Sequence, residues 1–105
     1  MIITTTENLT DKKIVKTLGI VSGSIVLSKN MLSDIGAGFK TMVGGELKAY
    51  TDLQNNARKE AAIRMCESAS KLGANAIIST RYSTSAIMSG ASEVVAFGTA
   101  VVYEE

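Results

Sequence analysis

The sequence predicts an α+β fold: an antiparallel sheet with one short and one long helix packed on it. Three observations carry that reading. A β-branched stretch runs from Ile14 to Leu27, a long run at helical spacing extends from Glu46 to Leu72, and two further strand-like runs follow it.

Taken in order, Met1 to Thr5 reads as a short strand and Glu7 to Lys13 as a polar turn. Ile14 to Leu27 is the first long strand, with Gly19 and Gly23 as bulge or bend points inside it. Ser28 or Asn30 can cap a short helix over Met31 to Val43, weakened by Gly36 and Gly38. Gly44-Gly45 then interrupts the pattern. The long helix is marked by Leu47, Tyr50, Gln54, Ala57, Ala61, Met65, Ser68 and Leu72, three or four apart. Glu60 with Arg64 and Glu67 with Lys71 stand at helical i,i+4 spacing with the acid first, which supports an exposed face. Gly73 is a natural left-handed terminator. Alanines within and beside the stripe, Ala62 and Ala69 among them, let the helix axis sit close to its neighbour.

Asn75 to Thr84 reads as a strand, Ser85 to Ala91 as a connection and Ser92 to Tyr103 as the last strand, the two pairing as an antiparallel hairpin. In that last strand Val94 to Phe97 and Ala100 to Tyr103 are apolar on both parities, the mark of a strand covered on both faces. One helical layer covers one face. A neighbouring subunit is expected on the other.

Composition agrees. A chain of 105 residues is one domain, 1–105, and hides only about two-thirds of its unfolded surface. Yet 46% of its residues are hydrophobic, a heavy load for a small sphere, so a homo-oligomer is expected. A net charge of +1 provides no field for phosphate backbones, and the five aromatics do not interleave with a basic cluster, so no nucleic acid partner is expected. No run approaches the roughly 20 apolar residues of a membrane span, and the start lacks a signal-peptide pattern. A single cysteine fits a reducing compartment, which places the protein in the cytoplasm. There is no proline, no repeat and no linker.

The absence of histidine removes Ser/His/Asp and Cys/His catalysis. Cys66 is the one soft donor of high affinity; a single thiolate falls short of a zinc or cluster site within one chain, and a packed free cysteine on a helix flank is the simpler role. The glycines of Gly36 to Gly38 and Gly44-Gly45 could present N–H groups to an anion, but no Gly-Lys-Ser/Thr follows, and a tight turn accounts for them. Met42, Met65 and Met88 are scattered across elements, and gap-filling explains the first two better than copper ligation. Arg58, Arg64, Arg81, Glu46, Glu60 and Glu93 are the charges nearest apolar elements, able to bind a polar ligand or fasten two subunits.

Met42-Val43-Gly44-Gly45, Ala49-Tyr50, Leu53, Ala57-Arg58, then Leu72 to Ile78 and Phe97 to Val101, together with Gly19 to Gly23, form an ordered combination. It resembles the YbjQ-like family over nearly the whole chain. The resemblance implies a small α+β subunit of dodecin-like topology, assembled as a ring-shaped homopentamer in bacteria or archaea, in a family carried as uncharacterised and heavy-metal-binding. The matching positions Gly44, Gly45, Tyr50, Arg58, Gly73, Gly98 and Thr99 are mostly shape-setting. Where some relatives carry acidic residues, this chain has Arg81-Tyr82-Ser83, which disfavours a hard cation.

The expected function is a non-catalytic, oligomeric binding or structural role, with a small ligand or a soft heavy metal held through Cys66. The alternative is an enzyme with an inter-subunit polar cleft built from Arg58, Arg81, Tyr50 and Glu93; it requires those groups to converge. A third reading, an adaptor for another protein, requires an apolar patch left exposed after the ring closes.

Overall fold

The computed structural model describes residues 1–28, 46–88 and 91–105, with backbone alone over 46–50. The order is β1 (Ile2–Ile3), β2 (Lys13–Leu27), α1 (Glu46–Lys71), β3 (Ala76–Met88) and β4 (Ala91–Glu104). The strands form one sheet in the order β1-β3-β4-β2. β4 pairs antiparallel with β2 on one side and β3 on the other, while β1 runs parallel to β3. The sheet is therefore mixed rather than wholly antiparallel. The departure comes from the short N-terminal strand, which enters beside the start of β3 in the same direction. The expected short helix over 31–43, its caps and Gly44-Gly45 lie outside the described residues.

α1 lies over β2 and β4 and scarcely reaches β3. Its stripe of Ala57, Ala61, Met65 and Ala69 is buried against Val21, Leu27, Val94, Ala96 and Ala100. Small residues set the distance. A Cβ on Gly23 would run into Met65 N and Ala61 O, so the helix backbone rests directly on β2 there. Gly19, by contrast, sits at a register shift with φ +120, a conformation glycine adopts without strain. Leu72, the last member of the expected stripe, falls just beyond the helix and is exposed; Gly73 then turns the chain at φ +87.

β3 and β4 meet earlier than the sequence suggests. Ser85 to Met88 continue the ladder with β4 instead of forming a connection. A register shift between Ile78 and Arg81, with Ser79 at φ 53, kinks β3 where the N-terminal segment leaves it. There Thr4 N, Ser79 N and Thr80 N bond with Ile77 O, Thr6 O and Thr4 O respectively. Asn75 brackets the far end: its Nδ2 donates to Tyr103 O at 3.0 Å and its Oδ1 accepts from Tyr103 N at 2.9 Å. Lys12 joins that end too, paired with Glu105 at 3.1 Å and lying over the Tyr103 ring.

Candidate functional site

Because α1 covers β2 and β4 but not β3, one helix flank stands beside an uncovered strand. Ala62 and Ile63 are common to two open grooves along that flank. The first, about 520 Å³, is lined by Asn55, Arg58, Lys59, Ala62, Ile63 and Tyr82. The second, about 450 Å³, is lined by Ile3, Ala62, Ile63, Cys66, Glu67 and Ser70 and is nearly all apolar. Together they run from Asn55 to Ser70, with Tyr82 of β3 as the opposite wall at one end and Ile3 of β1 at the other.

The polar candidates separate. Tyr82 is level with Ala96, which packs on α1, so it shares the helix side with Arg58. Successive strand residues face opposite ways, so Arg81, level with Phe97, lies on the other face of the sheet. Arg81 Nη1 donates to Thr5 O at 3.0 Å and Thr80 O at 2.8 Å, fastening the N-terminal segment over the β3 kink. Glu93 shares the face of Arg81, but its partner Ser85 is four positions further along β3, about 13 Å at ordinary strand rise. Arg58 hydrogen-bonds Asn55 one turn before it. The Tyr50 side chain lies outside the described residues. Within one chain, Arg58, Arg81 and Glu93 build no common cleft.

Cys66 is half-buried on the groove wall, and burial pushes its thiol pKa up. High-affinity metal binding by cysteine requires thiolate, so that shift opposes ligation. Among the described residues no group of three or more His, Cys, Asp or Glu is placed to hold a metal ion. A heavy-metal site therefore does not fit within the described part of one chain.

On the other flank of α1, Arg64 pairs with Glu60 at 3.2 Å and its Nη1 donates to Ser24 O at 2.6 Å. Ser68 Oγ approaches Ser22 O at 3.5 Å. These carbonyls thus point away from β4, over the outer edge of β2. The Glu60–Arg64 spacing was readable in the sequence, whereas their reach to β2 was not. Thr80 was also missed: it is 2% exposed and its Oγ1 has no hydrogen-bond partner. No sequence signal marks it, because the kink that buries it arises from tertiary pairing with Thr4 and Thr6.

A one-sided helix on a mixed four-stranded sheet defines the class: a small α+β protein whose helix covers one sheet face. The same fold occurs in a crystal structure of a protein of unknown function from Pediococcus pentosaceus ATCC 25745, of the DUF74 family (TM-score 0.65, 18% identity, 99% of this chain and 98% of that one covered). The chain belongs to the YbjQ family, whose description is "Putative heavy-metal-binding" and whose model matches residues 1–104. Among its relatives, a UPF0145 protein of Thermosipho africanus is 54% identical over 101 residues, covering 96% of this chain and 94% of the relative. Another, from Thermotoga maritima, is 52% identical over 105 residues, covering 100% and 99%.

Proposed function

We propose that this chain works as a subunit of a cytoplasmic homo-oligomer, pentameric as its family resemblance implies, with a binding or structural rather than catalytic role. The observation that carries this is the sheet face opposite α1. Ile20 is 85% exposed, Val26 51% and Phe97 39%. Large apolar side chains exposed along the broad face of a sheet are costly in water and support an interaction surface there. A second copy is the partner that is always present with it.

Any soft metal would have to be shared. One chain supplies a single thiol, so only a symmetric arrangement bringing several Cys66 side chains together gives a thiolate cluster. The enzyme reading is weaker, since Arg58 and Arg81 lie on opposite faces of their own sheet and would need two different neighbours to converge.

Native mass spectrometry of untagged protein from a metal-replete host tests both parts. The expected spectrum shows a closed ring of copies of the 11.1 kDa chain, near 55 kDa for a pentamer. A monomer at micromolar concentration overturns the assembly. A stoichiometric metal mass that disappears in Cys66→Ser makes binding through that thiol the function, while a bare ring leaves assembly and removes the metal.

A further inference from the structure

We infer that the groove beside α1 binds a long-chain carboxylate, its head on Arg58 and Lys59 and its hydrocarbon chain running along Ala62, Ile63 and Cys66 to Ile3. This rests on the binding role proposed above and names the class of ligand; it does not depend on how many copies assemble. The two openings form one track, because Ala62 and Ile63 line both. Lys59, Ala62, Cys66 and Ser70 repeat along it at helical spacing, so a single line of α1 makes the wall from end to end.

The two ends differ in chemistry. At one, Arg58 is half-buried and Lys59 exposed. Among the described residues the ion pairs are Lys12–Glu105 and Glu60–Arg64, so neither cation has a carboxylate partner. Asn55 accepts one bond from Arg58 and orients the guanidinium on the groove wall, leaving the other donors of the fork for an anion. Tyr82 adds a phenol hydroxyl opposite them. The far end holds Glu67 and no cation, and its wall is otherwise Ile3, Ala62, Ile63 and Cys66, with Ser70 at the limit. A carboxylate head is therefore drawn to Arg58 and Lys59 and turned away from Glu67.

Length and backbone chemistry select the occupant. From Lys59 to Ser70 the helix rises about 16 Å, the reach of roughly fourteen carbons in an extended chain. A peptide laid in the same place would bring an N–H and a C=O with every residue. α1 satisfies its own backbone groups, and beside Ile3 the edge of β3 is taken by β1, so those peptide groups would lie unpaired against an apolar wall. A hydrocarbon chain brings none. Removing it from water together with the exposed side chain of Ile63 supplies the binding energy.

Titration of lipid-stripped protein with sodium tetradecanoate, kept below its micelle concentration, tests this, with tetradecyltrimethylammonium as the same chain under the opposite charge. Tetradecanoate is expected to bind in the micromolar range and to slow Cys66 alkylation by about tenfold or more, because the chain lies across the thiol. Arg58→Gln with Lys59→Gln should weaken tetradecanoate by about tenfold and leave the ammonium bound at least as well as in wild type. Ile63→Gln should weaken both. Circular dichroism reports whether each variant folds, and the alkylation measurement in wild type needs no variant.

Failure of tetradecanoate to bind wild type at micromolar concentration would overturn the inference. So would binding that leaves Cys66 alkylation and the Ile63 variant unchanged, since the chain would then lie elsewhere, as on the exposed face of Ile20 and Phe97. Equal weakening of both amphipaths by Arg58→Gln with Lys59→Gln would overturn the carboxylate assignment. A native mass spectrum of the same samples reads assembly separately: an empty ring overturns the ligand and keeps the assembly, and a loaded monomer does the reverse.

Discussion

Gly23 controls how closely helix and sheet approach. Its missing side chain is replaced by Met65 N and Ala61 O, backbone atoms that cannot yield without moving α1. Gly23→Ala is expected to destabilise by about 3 kcal/mol or more, the upper range of overpacking, read as a shifted urea midpoint. The sequence marked Gly23 as an irregular point in a strand, yet not whether it served a bulge or a close approach. That choice depends on which residue of the helix lies above it. Thr80 gives the opposite sign. Its hydroxyl is buried without a partner, so Thr80→Val keeps the shape and removes an unsatisfied group; stability should be unchanged or rise by about 1 kcal/mol. Cys66 supplies a pH signature. Burial favours the neutral thiol, so alkylation should be slower than that of free cysteine at pH 8 and reach half its maximum at a higher pH. The sign for stability follows: the raised pKa contributes below the ordinary thiol range and is lost as pH rises through the folded value. The urea midpoint of wild type should therefore fall relative to Cys66→Ser only on the alkaline side.

At the scale of elements, the long helix and the two long flanking strands were legible because periodicity and β-branching speak locally. α1 begins at Glu46 as the stripe suggests and ends at Lys71 beside its glycine. Pairing partners were not legible. Ser85 to Met88 reads as part of a connection, and it is drawn into β3 because β4 offers a ladder opposite it. The parallel placement of β1 is equally tertiary, since two isoleucines carry no direction. The candidate site was legible residue by residue and not as a site. Arg58, Arg81 and Glu93 stood out for their charge, but the alternation that puts Arg58 and Arg81 on opposite faces needs the register. The groove beside α1 was foreshadowed by Cys66, placed on the helix flank, and by Arg58, which lines its other end. Tyr82, its other wall, gave no signal.

The whole molecule is long and thin, 54 × 27 × 17 Å, with a radius of gyration of 17.0 Å. A compact chain of about 100 residues has a value near 13 Å. The excess length is the part of the sheet that one helix does not cover, where β3 is exposed from Arg81 onward. Apolar residues on both parities of β4 point to the same shape, and the surplus of hydrophobic residues in the composition points to it again. A chain shaped this way holds its own helix on one face, and under the assembly proposed above the rest of the sheet is left to neighbouring copies.

Backbone amide hydrogen exchange across β3 tests that claim most directly. In wild-type protein at micromolar concentration, the amides of Tyr82 to Met88 should exchange slowly, within about tenfold of those in β4, if a neighbouring copy covers this part of the sheet as the proposed assembly requires. Exchange of those amides at the rate of an open strand edge, with β4 still protected, would contradict the account.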